Sequence, residues 1–207
     1  MMDLDLNTSQ NNKKSNIENQ IMFYVPLCHI KINNWKEKKQ LLLELYSKIE
    51  KNVTYLESDV NKPEQGTVKN DYGYQKLNNK HQMYASTITK ILEDEIIQFK
   101  NAYSFNEVGI IGSWFERGNV GDYHPVHNHG SLGYSSVCFI NYDSKVHTPT
   151  KFQSPFLNFI TGELIHHLPP NIEEGSLIFF PSAIAHSTIP GQTDKDRLVL
   201  SFNLDVK

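Results

Sequence analysis

Hydrophobic and polar positions divide the chain into a polar beginning, two helical patterns and a long series of short strands. Residues 1–20 contain almost no large apolar side chains. Such a segment gains too little from burial to offset the entropy lost on ordering, so we expect a disordered polar tail there. Residues 21–207 are expected to form one domain, because this length suffices for a single sizeable core.

The first half of this domain, residues 21–101, carries apolar side chains at helical spacing in two places. One helix is predicted to begin at Asn33 or Asn34, which can cap it, and to end near Lys51. A second helix is predicted over about 82–100, where apolar residues recur on one side. The remaining segments of this half are expected to be a strand at 21–27, limited by its proline, and an irregular arm at 52–80.

From residue 102 onward the apolar runs are short and are separated by Gly, Pro, Asn and Asp. Strand-forming residues fill the intervals, as in VGIIGSWFE, YSSVCFINY, SPFLNFI, GSLIFFP and RLVLSFNL. Two helices followed by seven or eight such strands predict a mainly β fold. We expect a β-sandwich or barrel over residues 102–207, with both helices packed on one of its sheets.

Composition and charge exclude several classes of protein. Lys and Arg number 20 against 23 Asp and Glu, so the net charge of −3 gives no electrostatic footprint for nucleic acid. The apolar runs are too short for a membrane helix or an export signal. The two cysteines, Cys28 and Cys138, cannot form a disulfide framework. We therefore expect a cytoplasmic protein without nucleic-acid or membrane partners, while a homo-oligomer stays possible on this reasoning.

Histidines supply the first candidate chemistry. His127 and His129 would point to the same face of a strand, one pleat apart, where two imidazoles can reach one metal ion. His124 has the opposite parity and is the weaker candidate. Farther along, GSLIFFPSAIAH predicts a buried strand, a stop at its proline and a short strand that delivers His186. Two antiparallel strands of one barrel can thus bring a third imidazole to the first two.

Arg197 supplies the second candidate. It opens RLVLSFNL, in which Leu198 and every second residue after it share one face, while Arg197, Ser201 and Asn203 share the other. A buried guanidinium requires an anionic partner, and the sequence places no carboxylate nearby on that face. The missing anion could be the carboxylate of a ligand, bound by two hydrogen bonds. A salt bridge to Asp194 or Asp196 at a surface turn is the structural alternative.

The order and spacing of these motifs resemble those of a known family. SWFERGNVGDYHPVHNHG, GSLIFFPSAIAHSTIP and DRLVLSFNL are together similar to 2-oxoglutarate/Fe(II) oxygenases of bacteria and phages, which are cupin-like proteins. The resemblance covers about residues 108–205. It implies a double-stranded β-helix, or jelly roll, and a dioxygenase that uses Fe(II) and the cosubstrate 2-oxoglutarate. Its expected reaction is hydroxylation of a small-molecule or peptide substrate, whose identity the sequence does not give.

The resemblance also implies roles for individual residues. His127 and His186 would be the two histidine ligands of the iron, and Arg197 would pair with the far carboxylate of 2-oxoglutarate. Three further residues are candidates to assist in holding this cosubstrate: Ser201, Asn203 and Tyr134.

One ligand position departs from the usual pattern. Most members of the wider superfamily have Asp or Glu two residues after the first histidine, which completes a facial triad of two histidines and one carboxylate. This chain has His129 there, which we expect to be the third metal ligand. Two alternatives stay open: a cupin-type metalloenzyme that does not use 2-oxoglutarate, and a jelly-roll protein whose histidines hold a structural metal or none.

Other residues near the motifs are given ordinary roles. Asp122 is the nearest carboxylate to the histidines, but its parity makes it a weak ligand candidate. Glu116 and Arg117 precede a turn signal and are expected to be exposed. Cys138 is expected to be a small buried apolar residue.

Overall fold

The computed structural model describes residues 21–52, 67–72, 75, 80 and 83–207. The polar tail predicted for 1–20 and most of the arm predicted for 52–80 lie outside the described residues. The elements, in chain order, are β1 (Cys28–Lys31), α1 (Trp35–Asn52), β2 (Lys69–Asn70), α2 (Ala85–Ile91), α3 (Glu93–Ala102), β3 (Val108–Gly118), β4 (His124–His127), β5 (Tyr134–Asn141), β6 (Lys151–Leu157), β7 (Leu164–His167), β8 (Ser176–Pro181), β9 (His186–Thr188) and β10 (Arg197–Val206).

The strands form two antiparallel sheets, as the sequence predicts. The larger sheet has the order β1-β8-β5-β10-β3-β2, and the smaller one has the order β4-β9-β6-β7. A cluster of buried side chains from both sheets, including Phe139, Phe152 and Val199, fills the space between them. The predicted jelly-roll architecture is therefore confirmed, and its larger sheet also includes β1 and β2 from the first half of the chain.

The helices cover the outer face of the larger sheet. Leu198, Leu200, Phe202 and Leu204 of β10 belong to one buried cluster with α1, α2 and α3, which contribute residues such as Phe99. The ring of Phe99 stacks on that of Phe179, with 4.2 Å between their centroids. The opposite face of β10, which begins with Arg197, points to the space between the sheets. The alternation predicted for RLVLSFNL is thus confirmed.

Two expectations for the first half were wrong. Residues 21–27 are not a strand, because pairing with β8 starts only at Cys28, after Pro26, whose nitrogen has no hydrogen to donate. The helix predicted over 82–100 is two helices, since Leu92 has φ −107° and ψ 24°. Leu92 is nevertheless fully buried, so the bend lets both helices follow the same sheet. None of the described helices is both long and apolar enough to span a membrane.

Candidate metal centre

The three histidines are brought together by the pairing of two short strands. β4 ends at His127, β9 begins at His186, and these two residues are direct partners in the antiparallel register. His129 lies two residues beyond β4, where its backbone N–H donates to the carbonyl of Ser182 over 3.0 Å. This bond holds His129 against the loop that leads into β9. Local pairing therefore places all three imidazoles at one end of the smaller sheet.

The ring nitrogens of the three histidines converge on one point. One nitrogen from each of His127, His129 and His186 lies within 4.8 Å of the other two. The Nδ1–H of His127 donates to the carbonyl of Pro125, and that of His186 to the carbonyl of Ile184, each over 2.9 Å. Because Nδ1 then carries the proton, Nε2 of both rings keeps a lone pair for a metal. Nε2 of His129 is 3.2 Å from Nε2 of His186.

Burial keeps these imidazoles neutral at ordinary pH. Desolvation is the main cause that lowers the pKa of all three, to about 3 for His129 and about 4 for His186. The neighbouring imidazoles lower these pKa values further, since protonated rings would repel one another. Three neutral nitrogen donors at this spacing fit a divalent first-row metal such as Fe(II). The donor set thus suits the metal that the sequence resemblance implies.

His124 takes part in the site without joining the three. Its ring stacks on that of His127, with 4.0 Å between the centroids and 19° between the planes. Its Nδ1–H donates to Oε2 of Glu116 over 2.9 Å. Stacking on one side and a carboxylate on the other fix this ring, so His124 supports His127 from outside the group.

Glu116 corrects an expectation from the sequence. It is buried, not exposed, because β3 continues to Gly118 and directs Trp114 and Glu116 inwards while Phe115 faces the helices. Its Oε1 accepts from Nη1 of Arg197 over 3.4 Å and from the hydroxyl of Thr188 over 3.3 Å. Hydrogen bonding and charge from His124, together with the charge of Arg197, lower the pKa of Glu116 to about 2 despite its burial. A carboxylate therefore does lie beside Arg197, on the neighbouring strand.

Arg197 is buried in the wall between the sheets, with 6% of its surface exposed. The predicted alternative of a surface salt bridge is wrong, because Asp196 pairs with Arg117 and not with Arg197. The guanidinium lies over the ring of Phe139, 5.6 Å from its centroid. Its Nε is buried and has no hydrogen-bond partner. Arg197 therefore keeps donor capacity that no described protein group uses.

The other residues predicted to hold the cosubstrate divide between two places. Ser201 lines the same small cavity as Arg197 and the histidines. Asn203 accepts a hydrogen bond from Ser135 over 2.8 Å, six residues farther along β10. At a rise of about 3.3 Å per residue that separation is about 20 Å, too far for both to hold one small dicarboxylate. Tyr134 lies on the helix side, against the ring of Phe99, and is not brought to the site.

Two further expectations can be compared with the structure. Asp122 caps a turn by accepting from the backbone N–H of Asn119 over 2.9 Å, and it is not among the converging ligand atoms. Cys138 is fully buried, which confirms its prediction as an apolar residue. Glu116, Trp114 and Thr150 line the cavity, but the sequence analysis assigned none of them to the site. The inward parity of Trp114 and Glu116 relative to Phe115 is the signal that could have found two of them.

Two cavities adjoin the histidines. The small one, which the histidines and Arg197 line, has a volume of about 20 Å³. A neighbouring cavity of about 790 Å³ is lined mainly by apolar residues of the 22–27 segment, β6 and the end of β8. Phe180 lines both cavities, and its ring lies 4.8 Å from that of His186. No Asp, Glu, Lys or Arg side chain lines the larger cavity among the described residues, which suits the entry of a neutral apolar group.

Comparison with known proteins gives three findings. Residues 112–203 match the family described as "Putative 2OG-Fe(II) oxygenase". No curated protein sequence matches the chain. Among solved structures, the chain is similar to a prolyl-4-hydroxylase of Pseudomonas putida, with a TM-score of 0.54 and 11% identity, over 87% of this chain and 92% of that one.

Two further solved structures share the fold. One is the non-haem alpha-ketoglutarate-dependent epimerase SnoN of nogalamycin biosynthesis, with a TM-score of 0.57 and 11% identity, over 86% of this chain and 76% of that one. The other is a prolyl hydroxylase of Trichoplax adhaerens in complex with a hypoxia-inducible-factor peptide, with a TM-score of 0.52 and 13% identity, over 86% and 83%. These similarities confirm the double-stranded β-helix as the fold.

Proposed function

We propose that this chain is a non-haem Fe(II)- and 2-oxoglutarate-dependent dioxygenase of the 2OG-Fe(II) oxygenase family, whose model matches residues 112–203. The observation that carries the proposal is the group formed by His127, His129 and His186, whose ligand atoms lie within 4.8 Å of one another beside a buried arginine. We expect these three histidines to hold Fe(II). The reaction that we propose is the hydroxylation of a C–H bond in a substrate.

Different residues of the site would bind the metal and the cosubstrate. The iron with its cosubstrate, when bound, supplies the oxidising chemistry. Pro125 and Ile184 hold the rings of His127 and His186 in the tautomer that presents Nε2. Arg197 would donate two parallel N–H bonds to the far carboxylate of 2-oxoglutarate, and Ser201 lines the same cavity. The rings of Phe152 and Phe180 pack on His186 and exclude water from that side.

The neighbouring apolar cavity supports a substrate with a neutral, largely apolar part. Its volume of about 790 Å³ is within the range of small-molecule sites. We therefore propose a small molecule, or an apolar side chain of a peptide, as the partner of this enzyme. A cytoplasmic location is also part of the proposal, because both cysteines are free, as is usual for proteins of a reducing compartment. A homo-oligomer remains compatible with it.

A second candidate function is a three-histidine metalloenzyme that does not use 2-oxoglutarate. Two observations favour it: Arg197 already has a carboxylate partner in Glu116, and the cavity beside it has a volume of only about 20 Å³. Under this alternative Arg197 stays paired with Glu116, and no dicarboxylate binds.

One titration separates the two candidates. 2-Oxoglutarate is added to the Fe(II)-loaded protein without oxygen, and heat is measured. The dioxygenase proposal predicts saturable binding of one 2-oxoglutarate per chain only when the metal is present. Stoichiometric Fe(II) binding without any 2-oxoglutarate binding would favour the second candidate instead.

A further inference from the structure

A buried carboxylate lies in the wall of the metal centre and has no role toward the metal in the functions proposed so far. Glu116 is 5% exposed and accepts hydrogen bonds from His124, Thr188 and Arg197. Among the described residues that line this cavity, it is the only carboxylate. A buried charge is costly unless it is paired, so three donors around one carboxylate indicate a built position and not an accident of packing.

The charge of Glu116 compensates for the departure at His129. A triad of two histidines and one carboxylate lowers the charge of a divalent metal by one. Three neutral imidazoles do not lower the charge of the metal. The metal here would therefore keep its full charge, next to the positive charge of Arg197. Glu116 supplies one negative charge to the same cavity. It is bonded to His124, whose ring stacks on that of His127, and to Arg197. The total charge of the site is then the same as with a carboxylate ligand.

The contact between Glu116 and Arg197 is also one that a ligand could replace. It is a single hydrogen bond of 3.4 Å from Nη1, while Nε of Arg197 is buried without a partner. A ligand carboxylate that accepts from two guanidinium nitrogens would satisfy Arg197 better than Glu116 does. Glu116 would keep two other donors, His124 and Thr188, after losing Arg197.

We propose that Glu116 is the counter-charge of this site: it replaces the negative charge missing from the metal ligands and holds Arg197 until a ligand carboxylate takes its place. The part that concerns Arg197 rests on the proposed use of 2-oxoglutarate, whereas the part that concerns the metal does not. Glu116 therefore has opposite effects on the two ligands. It strengthens the binding of the cation and weakens the binding of the anion.

The test compares Glu116→Gln with Glu50→Gln as a matched control. Glu50 is also bonded to an arginine, Arg117, over 3.3 Å, but that pair is on the surface. Fe(II) affinity is measured first, without 2-oxoglutarate. Loss of the nearby negative charge should weaken Fe(II) binding about tenfold in Glu116→Gln and leave it unchanged in the control. Unchanged Fe(II) affinity in Glu116→Gln would overturn the metal part of the proposal.

The second measurement is the affinity for 2-oxoglutarate in the presence of saturating Fe(II). Glu116→Gln should bind 2-oxoglutarate about tenfold more tightly than the wild type, because its Arg197 has no competing carboxylate. If Glu116 merely fixed the side chain of Arg197, the variant would bind 2-oxoglutarate more weakly, which would overturn this part. A wild type that binds Fe(II) but no 2-oxoglutarate would refute the proposed function, and the Fe(II) comparison would still decide the role of the charge.

A second variant covers the case in which Glu116→Gln does not fold. Glu116→Asp keeps the charge but shortens the side chain, so it lengthens a contact with Arg197 that is already 3.4 Å. It should bind Fe(II) as the wild type does and bind 2-oxoglutarate several-fold more tightly. Weaker 2-oxoglutarate binding by folded Glu116→Asp would contradict the proposal.

Discussion

Removal of Arg197 tests the cosubstrate site most directly. In the protein without ligand, this buried guanidinium has one hydrogen bond of 3.4 Å and an unpartnered Nε. Most of its desolvation has therefore already occurred before a ligand arrives. Truncation of one side of such a buried charged pair typically costs about 2–5 kcal/mol of binding, which is roughly a thirtyfold to several-thousandfold loss of affinity. Arg197→Ala should lose 2-oxoglutarate affinity within that range.

The assay is anaerobic calorimetry with 2-oxoglutarate and Fe(II), performed on wild type, Arg197→Ala and Arg197→Lys. The lysine variant should recover only part of the affinity, because an ammonium cannot make the two parallel bonds of a guanidinium. Fe(II) affinity should not fall in either variant, since Glu116 keeps its charge. Arg117→Ala is the control, because that arginine contacts Glu50 and Asp196 at the surface. Equal 2-oxoglutarate affinity in wild type and Arg197→Ala would refute the assignment.

Three further predictions concern the metal, the pH dependence and the core. The double variant His127→Ala/His186→Ala should lose the expected one Fe(II) per chain, measured by metal analysis, and retention of Fe(II) would place the site elsewhere. The metal-free protein should lose stability as the pH falls from about 6.5 towards 4, because the unfolded chain then binds protons that the folded histidines, with their lowered pKa values, do not. His129→Gln should reduce this pH dependence of the free energy of unfolding, measured by denaturant unfolding at several pH values. An unchanged pH dependence would contradict the neutral state of the buried His129 imidazole. Phe99→Ala should lower the free energy of unfolding by about 3–5 kcal/mol. Leu41→Ala, at a position that is 43% exposed, should cost far less, and equal losses would contradict the packing described.

The alternation of side chains along strands was the part of the structure that the sequence predicted best. It assigned the apolar face of β10 to the helices and placed His127 and His129 on one face, and the structure brings their nitrogens together with that of His186. Such patterns are local, and burial enforces them, since a shift of one residue would expose every apolar side chain. The sandwich of two sheets followed from the same patterns.

The placements of Glu116 and Tyr134 were not predicted in this way. Glu116 was expected at an exposed turn because Gly118 and Asn119 follow it, but pairing with Val199 on β10 extends β3 past that point. Tyr134 was expected near the cosubstrate from its place in the sequence. It shares its parity with Cys138, which faces the helices, so its ring joins that core instead. For Glu116 the register with a neighbouring strand decides the outcome, and a single sequence does not contain that register. For Tyr134 the alternation along its own strand decides it.

The two faces of β10 have a consequence for how this protein can diverge. Leu198, Leu200 and Phe202 are buried against the helices, whereas Arg197 and Ser201 face the cavity of the metal centre. Substitutions at alternate positions of one strand are therefore subject to different selection, one set for folding and the other, on the proposed function, for ligand binding. Residues in the second set can change one at a time while the scaffold remains intact. On the proposed function, changes at these positions would alter the binding of the cosubstrate and leave the core against the helices as it is.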